Sequence, residues 1–199
     1  EQVERDCYER RVPVSIMSIK DVGMFAADKG LSLDSRDAEA FIGFNVNGDA
    51  GPELELGVKY RGLRRLLLST ELVKMLSSSL VFEVDEFTWK GEFALPEIRS
   101  NGLGTDVVAA YASAILYNGE IISVLLRYDD LMELERMDID RAIQIYGNSS
   151  NSFYCSPWRN RMFEIAALKA LYRKCADILD ITSDINTTVF GSSAMVENL

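Results

Sequence analysis

Two runs of β-prone residues meet at Asn118-Gly119 in "VVAAYASAILYNGEIISVLLRY", and this stretch constrains the fold more than any other. Asn-Gly is the dipeptide favoured in a two-residue type I′ turn, where both central residues take positive φ. The stretch therefore predicts an antiparallel hairpin across residues 107–128.

The flanking segments supply helices and further strands. "VSIMSIKDVGMFAADKG" spaces its apolar residues as a helix does and stops at Gly30, a C-terminal cap. "AFIGFNV" and "ELELGVKY" read as strands of a second hairpin, with Asn47 to Pro52 in the loop. "RGLRRLLLSTELVKML" predicts a helix that offers Leu63, Leu66, Leu67, Val73 and Leu76 to the core. "LVFEVDEFTWKGEF" reads as a strand and "PEIRSNGLGTD" as a mobile loop. "DDLMELERM" predicts a short helix capped by Asp129 or Asp130, and "GNSSNSFYCS" a flexible polar linker. A last helix follows, with Ser156 at the N-cap and Pro157 in the first turn, and runs to about Leu179. Met162, Ile165, Ala166 and Leu179 are expected on its apolar side. The order predicts an α+β fold whose largely antiparallel sheet, built of hairpins, is packed with helices. One domain is expected over residues 1–180, with a short Ser/Thr-rich tail at 181–199.

Composition removes several kinds of chemistry. Histidine is absent, which excludes serine–histidine and cysteine–histidine nucleophiles and histidine–zinc sites. Cys7, Cys155 and Cys175 are widely spaced, odd in number and form no CxxC pair. This argues against a disulfide framework or zinc site and for a reducing cytosol. No apolar run reaches the roughly 18–20 residues that span a bilayer, and the charged segment from Glu1 does not read as a signal peptide. Neither GxxxxGK[ST] nor GxGxxG occurs, so no nucleotide-driven activity is expected.

Charge is distributed unevenly. The chain carries 21 bases and 31 acids, a net charge of -10. Within it lie two basic stretches, each with one acid. Residues 59–74 hold Lys59, Arg61, Arg64, Arg65 and Lys74 beside Glu71, and residues 157–174 hold Arg159, Arg161, Lys169, Arg173 and Lys174 beside Glu164. Local potential, not net charge, attracts phosphate, and the two stretches would line one groove if the fold brought them together. At 100° per residue Arg159, Lys169 and Arg173 fall within roughly 80° of one another, a stripe suited either to successive phosphates or to solvent. Arg61 and Arg65 share a face of the earlier helix, whose N-terminal amides add a favourable dipole for an anion. Trp158, next to Phe153 and Tyr154, and Tyr60 between Lys59 and Arg61, are placed to stack bases or to fill the core. The neighbouring carboxylates Asp85-Glu86 and Asp129-Asp130 read as caps and solvated groups. Successive strand residues point to opposite faces and do not chelate one ion.

Taken in order, "ELELGVKYRGLRRLLLST", "VFEVDEFTW", "AAYASAILYNGE" and "SPWRNRMFEIAALKALYRK" resemble the RecT/Redβ family of phage recombinases over about residues 16–179. The family's strand-to-helix "GYKGL" motif corresponds to Gly57–Leu63, its "V-x-x-x-D-x-F" strand to Val81–Phe87, its "YA" strand and glycine turn to Tyr111–Gly119, and its closing "PW" helix to Pro157–Arg173. The resemblance implies an ATP-independent protein that binds single-stranded DNA along a basic groove and anneals complementary strands, and that assembles into a ring or helical filament. It implies no required cofactor, a bacterial host cytoplasm, and as partners a 5′–3′ exonuclease and a host single-strand binding protein. Residue by residue it carries over Lys59, Arg61, Trp158 and Arg173; the family's Lys-Thr pair falls on Leu168 and Lys169. The competing readings are a strand-binding protein that does not anneal, a metal-dependent nuclease, and a scaffold without nucleic acid.

Overall fold

A computed structural model of the chain describes residues 16–45, 53–102, 104–155 and 157–179. The loop expected at Asn47–Pro52, the N-cap expected at Ser156, Cys7 and the tail at 181–199 lie outside the described residues. The chain divides into two compact units, one reaching up to Leu67 and the other spanning Leu68–Leu179.

The first unit contains helix α1 (Ile16–Asp28), strands β1 (Ala40–Asn45) and β2 (Glu53–Val58), and helix α2 (Tyr60–Leu68). α1 ends as its sequence predicts. Gly30 takes φ +65°, its N–H donates to the Ala27 carbonyl, and the N–H of Leu31 donates to that of Ala26. This paired arrangement satisfies two of the carbonyls that a helix end leaves over. β1 and β2 form the expected antiparallel hairpin, from Ala40↔Val58 to Asn45↔Glu53, and α1 packs on it. Leu56, Val58, Leu63, Leu66 and Leu67 are buried.

The helical reading of 61–76 holds only to Leu68. After it Glu71 takes φ +58°, and strand β3 begins at Val73 (Val73–Phe82). Val73 and Leu76 are buried as expected, but from a strand. A bulge between Val73 and Met75 turns both inward three residues apart, a spacing that imitates a helix. β3 pairs with β6 (Val107–Leu116), and β6 with β7 (Ile121–Arg127), in an antiparallel sheet of order β3-β6-β7. Between β3 and β6 lie two short strands, β4 (Glu86–Thr88) and β5 (Glu97–Arg99), paired with each other. The strand expected at 80–93 is thus broken by a turn, and the expected loop contains β5. Asp85 closes that turn, its carboxylate accepting the Phe82 N–H at 2.9 Å.

The β6–β7 hairpin is present, but its turn is not type I′. Positive φ occurs at Gly119 (+87°) and not at Asn118. The N–H of Gly119 donates to the Leu116 carbonyl, and that of Leu116 to the Glu120 carbonyl. Tyr117, Asn118 and Gly119 therefore form a three-residue loop, a type I turn closed by glycine in the left-handed region. Asn118 serves through its side chain, which accepts the Glu120 N–H at 3.0 Å.

Helix α3 (Tyr128–Tyr146) is longer than the short helix predicted. Its N-cap is Arg127 and not Asp129 or Asp130. Asp130 lies in the first turn and reaches back to accept the Arg127 N–H at 2.8 Å, and Gly147 at φ +69° ends the helix. The expected flexible linker is two 3-10 turns, Ser149–Asn151 and Phe153–Cys155, that hold Ser152 and Tyr154 inside. The Ser152 hydroxyl donates to Asp138 at 2.6 Å, and the Tyr154 ring meets that of Phe163 at 5.4 Å. Helix α4 (Arg159–Ile178) then crosses all three strands of the sheet. Its buried side is Phe163, Ala167, Leu168, Leu171, Tyr172, Cys175 and Ala176, not the Met162, Ile165 and Ala166 expected from the sequence. The opposite sheet face gathers Val81, Ala109 and Tyr111 with Phe87 and Leu125. The α+β class with antiparallel sheets is as expected.

Candidate nucleic-acid interface

The fold splits the first basic stretch: Lys59, Arg61, Arg64 and Arg65 lie in the first unit, whereas Lys74, on β3, lies in the second with Arg159 to Lys174. In the first unit the cations surround the start of α2, and Glu39 holds them there. Its main-chain carbonyl accepts the Lys59 N–H at 2.8 Å, and its carboxylate accepts the Ser32 N–H at 2.9 Å. Nη1 of Arg65 donates to both carboxylate oxygens, at 2.8 and 2.9 Å. The Ser32 hydrogen bond and then Arg65, with Arg61 adding at longer range, keep the Glu39 carboxyl below its ordinary range.

Gly62 makes this closeness possible. A methyl group built on it would overlap the Glu39 carbonyl oxygen and lie 2.8 Å from Val58 Cγ1. Gly57 has a parallel role one turn of chain earlier. Its cross-strand partner is Phe41, whose ring occupies the space that a side chain at 57 would need. The Lys59 ammonium stands 5.7 Å from the centre of that ring, and the Arg64 guanidinium 5.8 Å from that of Tyr60. Arg61 is exposed. Among the described residues neither Lys59 nor Arg61 has a carboxylate within salt-bridge distance.

In the second unit most of the candidate cations are engaged with acids. Arg159 forks onto Glu135 of α3, Nε to Oε1 at 2.8 Å and Nη2 to Oε2 at 2.6 Å, while its guanidinium lies 4.8 Å from the Phe163 ring centre. This pair ties α4 to α3. Arg161 pairs with Glu164 one turn along the helix. Lys174 pairs with Glu92 at 2.5 Å, 6.0 Å from the centre of the exposed Phe93 ring. Lys169 and Arg173 are half-buried on the side of α4 away from its core residues, and burial lowers the Arg173 pKa against the opposing effect of Asp177. Trp158, at the N-cap of α4, is 65% exposed and Phe153 63%, so neither fills the core. Among the described residues no group of three or more His, Cys, Asp or Glu side chains is arranged to hold a metal ion, and no helix is long and apolar enough to cross a membrane.

Sequence reasoning missed Glu39, Phe41 and Phe93. Glu39 and Phe41 reach the basic helix only through the β1–β2 pairing, and Phe93 reaches Lys174 only through the packing of α4. No local pattern marks them.

The sequence model of the RecT family matches residues 8–182, nearly the whole chain. The chain belongs to the RecT family. Membership implies single-stranded DNA binding, oligomerisation and phage-type single-strand annealing in recombination. RecT-family proteins are annealing proteins, not classical enzymes. A search of curated proteins finds no match to the chain. On the RecT motif that spans Gly57 to Leu63, both glycines have a physical reason: one lies under an aromatic ring and the other against a carbonyl oxygen.

Proposed function

We propose that this protein anneals complementary DNA strands without nucleotide hydrolysis, as a ring or helical filament in the cytoplasm of a bacterial host. It holds the strand by its phosphates, through Lys59, Arg61 and Arg64 at the start of α2. Arg65 is screened by Glu39. The half-buried Lys169 and Arg173 of α4 offer a separate set of contacts. A 5′–3′ exonuclease supplies the single strand, and no metal or nucleotide is needed for annealing itself.

The observation that carries this reading is the cationic start of α2. Two of its cations lack a carboxylate neighbour among the described residues, in a chain with ten more acids than bases. Backbone amides at a helix start and unpaired cations favour phosphate, and phosphate contacts carry no sequence information. Binding is therefore expected across all sequences. With about five phosphates held per protomer, log K falls with log salt at a slope of about -3.5.

The test is the annealing rate of two complementary fluorescent oligonucleotides, with no nucleotide present, at low and moderate salt. Salt-sensitive acceleration supports the reading. Strand binding without acceleration overturns annealing and leaves a protective binder. Metal-dependent cleavage of a labelled strand would point to a nuclease instead.

A further inference from the structure

The geometry of the β1–β2 hairpin points to Phe41 as a stacking platform for one base of the bound strand, next to the phosphate held by Lys59; we infer this on the strand-binding reading above. Phe41 is 47% exposed, although it is a large apolar side chain on a paired strand. Its position is built in. It faces Gly57 across the hairpin, and any side chain at 57 would displace the ring. Glycine inside a strand weakens it, so its presence marks a place where something approaches the backbone closely. Here that is the flat ring of Phe41.

The second feature is the cation beside the ring. Lys59 stands 5.7 Å from the ring centre and has no carboxylate partner among the described residues. A nucleotide presents a flat π-surface and, one sugar away, a negative charge. A half-exposed ring with an ammonium 5.7 Å from its centre that has no carboxylate partner among the described residues matches both parts at once. Tyr60 and Arg64 repeat the aromatic–cation pairing on the next residues of the chain. Stacking uses the face of a base and leaves its Watson–Crick edge open, as annealing requires. It is also indifferent to sequence, since every base has a π-face.

The test is fluorescence anisotropy with labelled oligo(dT) and with an abasic strand of equal length, over a series of salt concentrations. Phe41→Leu keeps apolar cover on Gly57 and is expected to weaken oligo(dT) binding about tenfold with an unchanged salt slope. It should leave abasic-strand binding unchanged, and Phe41→Tyr, which keeps the ring, should bind as the wild type does. Lys59→Ala should instead make the salt slope shallower by about 0.7 on both strands. Unchanged oligo(dT) affinity in Phe41→Leu overturns the inference. So does a loss that is equal on the two strands or that comes with a shallower slope, since the ring would then only position Lys59. If the wild type showed no salt-dependent binding to either strand, the strand-binding reading itself would fall, and this inference with it.

Discussion

The guanidinium of Arg65 closes on the carboxylate of Glu39, Nη1 donating to Oε1 at 2.8 Å and to Oε2 at 2.9 Å across 26 residues of sequence. The main-chain carbonyl of Glu39 holds the Lys59 N–H as well. One acid thus both fixes the start of the basic helix and dilutes its charge.

Glu39→Gln separates these two effects, because they have opposite signs. Stability is expected to fall by about 1 kcal/mol, a modest value because Arg65 is half-exposed. Low-salt affinity for single strands should rise about two- to fivefold as Arg61 and Arg65 lose their counter-charge. Urea melts and anisotropy titrations read the two quantities, and a loss of both would contradict this role.

The same residue gives a pH signature. Its folded pKa lies below the unfolded value of about 4.3, so the folded state binds this proton less readily. Its stabilisation is fully present above that unfolded value and is lost as pH falls through the folded pKa. The stability difference between wild type and Glu39→Gln should be flat near neutral pH and shrink on acidification below about pH 4.

Gly62→Ala is expected to destabilise the protein by about 1–3 kcal/mol, because a backbone carbonyl cannot step aside as a side chain can. Gly23→Ala provides the contrast. Gly23 lies within α1 with nothing within 4 Å of an added methyl group, so alanine there should stabilise by about 0.5–1 kcal/mol. Thermal melts of the two variants should move in opposite directions.

Arg159 is expected to behave as a residue of the fold. Arg159→Lys loses the two-pronged contact with Glu135 and should cost about 1–2 kcal/mol while leaving the salt slope of strand binding as it was. Arg61→Ala should do the reverse, with a shallower salt slope and unchanged melting. A shallower slope for Arg159→Lys would return that side chain to the interface.

The thiols should differ in reactivity. Cys155 is exposed, whereas Cys175 is buried and burial pushes its pKa up to about 12. A maleimide at neutral pH is expected to label Cys155 in the folded protein and Cys175 only after denaturant is added, as peptide mass mapping would show.

Much of the fold could be read along the chain where local chemistry and tertiary packing agree. Gly30 ends a helix in both, and Gly119 turns a hairpin in both, though through a different loop. Reading failed where packing produced a misleading period. Val73 and Leu76 look helical because a bulge places two inward residues three apart. The phase of α4 is hard to read because apolar residues occur on more than one of its faces: Phe163, Leu168 and Leu171 are buried, while Met162 and Ile165 stand outside that side. At the interface the cations were legible as sequence, but their counter-charges were not. Glu39, Glu92 and Glu135 lie 26, 82 and 24 residues from the bases they meet.

Ser123 donates its N–H to the Glu92 carbonyl at 2.7 Å and its hydroxyl to the Ala94 carbonyl at 2.9 Å. The outer edge of β7 is therefore already occupied at its middle by a strap from the same chain. A sheet edge left open invites another copy to add a strand and then another, without limit. At this edge such growth would first have to peel away residues 92–94 and the Lys174–Glu92 pair that helps hold them. An assembling protein thus has one of its own edges closed to runaway stacking.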